Sequence, residues 1–137
     1  MKTWRTPAKL EALDALTGGI AQFLEENGCP PRAVTQIVIV VEEIFVNIAH
    51  YAYPAGGGEA LVGCKVAEEN GRAAVRLQFE DWGTPYNPLS NGDPDITLPA
   101  EERQVGGLGI FMTKKMMDEV AYSHIGGRNK LSLTKYL

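Results

Sequence analysis

The sequence predicts an α+β fold, a two-layer α/β sandwich with helices on one face of a mainly antiparallel, mixed sheet. Three observations lead there. Apolar residues recur at helical spacing in two consecutive segments near the start, and then alternate at strand spacing in the two segments that follow. Helices and strands fall in separate runs, in the order α α β β, loop, α β β. The strands within each run are joined by hairpin signals, Asn70-Gly71 and Gly126-Gly127-Arg128-Asn129.

Residues 2–6 are short and read as an edge strand. Thr6-Pro7 reads as an N-cap with proline at the first helical position. Leu10, Leu13, Leu16, Ile20, Phe23 and Leu24 follow at helical spacing, and Gly18-Gly19 weakens the middle by about 1 kcal/mol per glycine relative to alanine. Asn27-Gly28 stops this helix. Pro30-Pro31 starts a second, which runs to about Ala52 before Pro54 and Gly56-Gly57-Gly58 end it. Residues 59–67 and 72–80 are strands, the second alternating Val75, Leu77 and Phe79 with Arg76, Gln78 and Glu80. Over 82–105 periodicity is lost and Pro85, Pro88, Pro94 and Pro99 interrupt every candidate element, which marks a lid or binding loop. Gly106-Gly107-Leu108-Gly109 opens a third helix over 110–118, and residues 119–124 and 130–137 are the last strands.

Length and composition bound the function. The chain has 137 residues, the size of one domain spanning 1–137, and can bury about two-thirds of its unfolded surface. The net charge is −4 with no basic stripe, so nucleic acid is not an expected partner. No run reaches the roughly 18 apolar residues expected of a membrane span, and the start lacks an apolar signal core. The two cysteines, Cys29 and Cys64, form no metal or disulfide motif, and a reduced cytoplasmic setting is expected.

Three constellations can carry chemistry. On the second helix Gln36, Glu43, Asn47 and His50 fall within about 60° of one another. Glu43 and Asn47, at i and i+4, can converge on one point. A carboxamide oxygen suits Mg²⁺ and a nearby carboxylate can take a proton from a hydroxyl. The spacing is common, and an ordinary polar stripe accounts for it as well. Asp81, at the end of a strand, can accept a hydrogen bond from an exocyclic amine, and Gly83 would permit close approach of a flat ring; a strand-ending turn also uses Asp and Gly. Glycines opening a helix at Gly107 and Gly109 leave backbone N–H groups at the positive end of its dipole, a phosphate site, or else form a hinge.

Taken in order, these motifs make the chain resemble the histidine-kinase-like ATPase superfamily, and within it the stand-alone anti-sigma-factor serine/threonine kinases. Glu43-Ile44-Phe45-Val46-Asn47 matches the family's N box. Asp81-Trp82-Gly83-Thr84-Pro85-Tyr86-Asn87-Pro88 resembles its D-x-G-x-P-F-[DN]-P box, and Gly107-Leu108-Gly109-Ile110 its G-[LM]-G box. The resemblance implies the ATP-binding sandwich of that superfamily, with ATP and Mg²⁺ as cofactors. It implies Asn47 as metal ligand, Asp81 as adenine anchor, and Gly83, Gly107, Leu108 and Gly109 around the nucleotide. Glu43 would be the general base toward a protein serine or threonine. The implied partners are a small antagonist domain of the anti-anti-sigma type and a sigma factor, with no membrane. The family is often dimeric, which makes a homodimer an expectation. The alternative is a non-catalytic ATP-binding module that holds a protein partner without phosphoryl transfer.

The chain departs from the family in places. Val105-Gly106 stands where relatives often carry a basic residue, and Arg103 is offset. Tyr51 stands at the spacing of a frequent histidine, beside His50, which reads as structural. Asn129 takes the place of a threonine near the adenine.

Overall fold

The computed structural model describes residues 1–90 and 107–137. The strands are β1 (Lys2–Pro7), β2 (Glu59–Glu69), β3 (Arg72–Asp81), β4 (Glu119–Ile125) and β5 (Arg128–Tyr136); the helices are α1 (Leu13–Glu26), α2 (Pro31–Tyr51) and α3 (Gly107–Met116). The strands form one sheet in the order β1-β2-β3-β5-β4. Both predicted hairpins turn on two residues with positive φ, Asn70 and Gly71 at 53° and 75°, and Gly126 and Gly127 at 63° and 76°.

Every pairing is antiparallel, so among the described residues the sheet is not mixed. The connection through α3 lays β4 at the far edge, and the tight turn folds β5 back between β4 and β3. This places the start of β5 beside the end of β3, with Asn129 opposite Asp81.

The helices cover one face of the sheet. Val62, Cys64, Val75, Leu77, Phe79, Leu131 and Leu133 of the sheet pack with Leu16, Ile20 and Leu24 of α1 and Ile37, Val41, Ile44 and Phe45 of α2 in one core. Each buried Val, Leu, Ile or Phe side chain among them stabilises the fold by about 1.5–3 kcal/mol. On the opposite face Glu80 is buried, held by Arg128 at 3.1 Å and by Gln78 at 2.7 Å.

α1 ends as expected. Gly28 adopts φ 77°, its N–H donates to Glu25 O, and the Cys29 N–H donates to Leu24 O at 3.1 Å, which closes the last turn. The glycine at 19 has a packing cause: the Trp4 indole occupies the space a Cβ would take, and its ring meets Phe23 edge-on at 6.2 Å.

Three expectations need correction. Thr6 and Pro7 do not start a helix; they pair with Ala60 and Glu59 as the end of β1, and α1 begins only after a 3-10 turn at Leu10–Ala12. Strand pairing, continued by the Ala8 N–H to Gly58 O bond, overrides the local cap signal. Leu10 is 49% exposed and lies outside the core. α2 is long and apolar enough by length and composition to cross a membrane, with mean hydropathy 1.5; here it is the central core helix, with Ile37, Val41 and Phe45 fully buried.

Candidate nucleotide-binding site

Between the C-terminal half of α2 and the end of β3 lies a cleft open to solvent. Ile44 and Ile48 of α2, Phe79 and Leu131 of the sheet and Ile110 of α3 give it apolar walls. Asn47, Asp81, Thr84, Tyr122 and Asn129 supply polar groups. Tyr51 and Tyr86 form its exposed rim, their ring centroids 6.5 Å apart. A slot with two apolar faces and a few fixed polar atoms suits a flat heterocycle.

One end is built around Asp81, which is 6% exposed. Its Oδ1 accepts from the Gly83 N–H and from Asn129 Nδ2, each at 2.9 Å. Oδ2 has no partner among the described residues. Asn129 also donates to Thr84 O at 2.9 Å, and its Oδ1 accepts from the Tyr86 N–H at 3.2 Å and from the Tyr122 hydroxyl. This end is fastened to α2 as well: the Thr84 N–H donates to Ala52 O at 2.8 Å. A Cβ on Gly83 would run into that same Ala52 carbonyl, so the missing side chain accommodates helix backbone and not the cleft. Tyr53 completes the attachment, donating to Glu59 O at 2.6 Å and accepting from the Trp82 N–H at 2.8 Å. Burial pushes its phenol above the ordinary tyrosine value.

The other end is built around Asn47 and Glu43, one helical turn apart on α2. Asn47 lines the cleft. Glu43 lies just beyond it, against α3: a Cβ on Gly109 would collide with Glu43 Oε2. Both side chains are half-buried, and neither makes a hydrogen bond or ion pair among the described residues. Gly107, Leu108 and Gly109 are the first residues of α3, not a loop before it as expected, so their N–H groups are those a helix leaves without intrahelical partners. The Glu43 carboxylate therefore rests at the positive end of the α3 dipole.

α2 acts as a ruler between the ends. Glu43 and Ala52 are nine residues, or about 13 Å, apart along the helix. Asn47 offers one hard oxygen, which fits Mg²⁺ held otherwise by waters and phosphates. No cluster of three His, Cys, Asp or Glu residues able to hold a metal is present among the described residues.

Asn47, Asp81 and Ile110 thus share one cleft, with Glu43 and Gly109 in contact at its edge. Gly83 supports Asp81 from behind. His50 is exposed and packs edge-on against Tyr51, outside the cleft lining. The expected lid over 82–105 falls mostly outside the described residues, as do Arg103, Val105 and Gly106. Sequence reasoning missed Tyr122, and it placed Asn129 near the base without its hydrogen-bonding role. For Asn129 the available signal was a polar residue in second place in a strand that opens on a Gly-Gly turn.

The model of the histidine kinase-like ATPase domain family matches residues 6–135. The serine-protein kinase RsbW of Bacillus cereus (strain AH187) is 25% identical over 135 residues, covering 97% of this chain and 82% of that protein. A crystal structure of the RsbU and RsbW domains of a Mycobacterium tuberculosis protein is similar at TM-score 0.67 and 18% identity, over 98% of this chain and 32% of that one. The SiaB–SiaC complex of Pseudomonas aeruginosa includes a chain similar at TM-score 0.60 and 18% identity, over 100% of this chain and 90% of that one. These structural likenesses establish the fold. With the family model spanning nearly all its length, the chain belongs to the histidine kinase-like ATPase family, on the branch that holds the RsbW serine-protein kinases.

Proposed function

We propose that this protein is an ATP- and Mg²⁺-dependent serine/threonine protein kinase that acts as an anti-sigma regulatory factor in a partner-switching pathway. One observation carries the reading. Glu43 is a carboxylate with no hydrogen bond or ion pair among the described residues, held against the first turn of α3 and one turn from Asn47, which lines the same cleft as Asp81. A half-buried carboxylate with no partner among the described residues is well suited to a role toward substrate.

In this reading Asp81 accepts from the adenine amino group, with Gly83 fixing it from behind. Asn47 ligates Mg²⁺, which when bound neutralises phosphate charge. The backbone N–H groups of Gly107, Leu108 and Gly109 receive the phosphates. Glu43 accepts the proton of the attacking serine or threonine hydroxyl. The whole chain works as one cytoplasmic nucleotide-binding domain, with the 82–105 segment as its lid. Its substrate is an antagonist domain of the anti-anti-sigma type, its second partner a sigma factor, and it works as a homodimer. The RsbW relatives, named serine-protein kinases, support the activity. The SiaB–SiaC complex supports use of this fold against a protein partner.

A second reading has its own observation. Val105-Gly106 lacks the basic residue often found there in relatives, which favours a module that binds nucleotide and partner without transfer. The test is incubation with γ-labelled ATP, Mg²⁺ and candidate antagonist domains, beside Glu43→Ala and Asn47→Ala. Label transfer that disappears in Glu43→Ala while ATP still binds supports the kinase. Tight partner binding with no transfer to any of them selects the module. If neither ATP nor ADP binds, the site assignment fails.

A further inference from the structure

We infer that Asn129 is the positioning residue that sets base selectivity, acting through Asp81. The inference rests on the nucleotide reading above and deepens it. All four hydrogen-bonding positions of the Asn129 carboxamide are filled within the fold: two N–H bonds go to Asp81 Oδ1 and Thr84 O, and its oxygen accepts from the Tyr86 N–H and the Tyr122 hydroxyl. The amide orientation is fixed by these partners. Turned over, its oxygen would face the carboxylate and the Thr84 carbonyl, and its NH₂ would face the Tyr86 N–H. Asn129 is 7% exposed and has no capacity left for a ligand, so its effect on the base is indirect.

That effect falls on Asp81. With the Gly83 N–H, Asn129 commits Oδ1 to protein donors and fixes the plane of the carboxylate. Oδ2 is then the acceptor left over, on a residue that lines the cleft. A purine with an amino group at position 6 can donate to Oδ2. A 6-oxo purine would set a carbonyl oxygen against it. An acceptor in a fixed place discriminates; a carboxylate free to rotate would let water bridge to either base.

Inosine triphosphate is the probe, because it keeps the ribose and triphosphate of ATP and replaces the 6-amino group by an oxo group, with N1 carrying a hydrogen in consequence. Affinities for ATP and inosine triphosphate are measured by titration for wild type, Asn129→Ala and Tyr122→Phe, each checked for a cooperative melting transition. Wild type is expected to favour ATP by about tenfold or more, the effect of one charge-assisted hydrogen bond. Asn129→Ala should lose most of that preference, and Tyr122→Phe, which removes one of two donors to the Asn129 oxygen, a smaller part. A merely structural role would lower both affinities and leave their ratio alone. An unchanged ratio in either folded variant overturns the inference while leaving the nucleotide reading intact. If Asn129→Ala does not fold, Tyr122→Phe decides. Failure of wild type to bind ATP would sink the nucleotide reading, and the inference with it.

Discussion

The two ends of the cleft are built in opposite ways. At the Asp81 end polar atoms are buried and paired: Asn129 has every position filled, and Asp81 Oδ1 accepts twice. At the Glu43 end two polar side chains project from a core helix with no partner among the described residues. The first end is finished by folding, and its hydrogen bonds are part of the stability of the protein. The second is left for something else to finish. Substitutions should therefore separate: at the first end binding and stability fall together, and at the second activity falls while stability does not.

The largest effect tests that separation directly. Glu43→Gln should lower phosphoryl transfer by about 10²–10⁴-fold, the usual range for a general base, with the melting temperature unchanged or raised. Asp81→Ala should instead leave the Gly83 N–H and one Asn129 N–H unpaired, costing about 1–3 kcal/mol for each buried group left so, and weaken ATP binding more than Glu43→Ala does. Melting curves and ATP titrations on the two proteins decide it. Equal affinities would count against the base assignment, and a lowered melting temperature in Glu43→Gln would break the contrast between the ends.

A smaller effect probes the contact between α2 and α3. At Gly109 a Cβ would meet the tip of the Glu43 side chain, which can swing away, while at Gly18 in α1 a Cβ would meet nothing within 4 Å. Gly18→Ala is expected to stabilise by about 0.5–1 kcal/mol with activity untouched. Gly109→Ala should also leave stability intact, yet lower transfer by about tenfold or more by displacing the carboxylate. Activity kept in Gly109→Ala would mean that the position of Glu43 against α3 does not matter to the reaction.

What the sequence made legible follows from range. α2 was readable because its apolar residues repeat over 21 residues, and both hairpins because their turns need positive φ at two adjacent positions. The Glu43–Asn47 pair was readable because i, i+4 spacing on a helix fixes it locally. Thr6-Pro7 misled because its cap signal is local, whereas its pairing with Ala60 and Glu59 is not. The purpose of Gly19 depends on Trp4, that of Gly83 on Ala52, and the clamp joins Asn129 to Asp81 across 48 residues. Such relations are set by strand order, which no spacing in the chain encodes.

The smallest effect sharpens the contrast by pH. Tyr53 joins the end of α2 to the starts of β2 and the loop after β3, donating to Glu59 O and accepting from the Trp82 N–H, next to Asp81. Burial is the main cause that raises its phenol, and the charge of Asp81 adds to it. A raised folded value means that the stabilisation is fully present below the unfolded value near about 10, and is lost as pH rises through the folded value. Cys64, pushed by burial from 9.0 up to about 12, acts in the same direction, so its share of the alkaline decline begins above about pH 9. Urea unfolding of wild type and Tyr53→Phe at about pH 7.5 and about pH 10.5 divides the two. At the lower pH the variant should be less stable by about 1 kcal/mol, having lost a donor and an acceptor. At the higher pH the gap should narrow, because the wild-type phenol then loses its proton more readily in the unfolded chain than in the fold. A gap that stays constant would assign the decline to groups other than Tyr53, Cys64 among them, and leave the Asp81 end as insensitive to alkali as the rest of the fold.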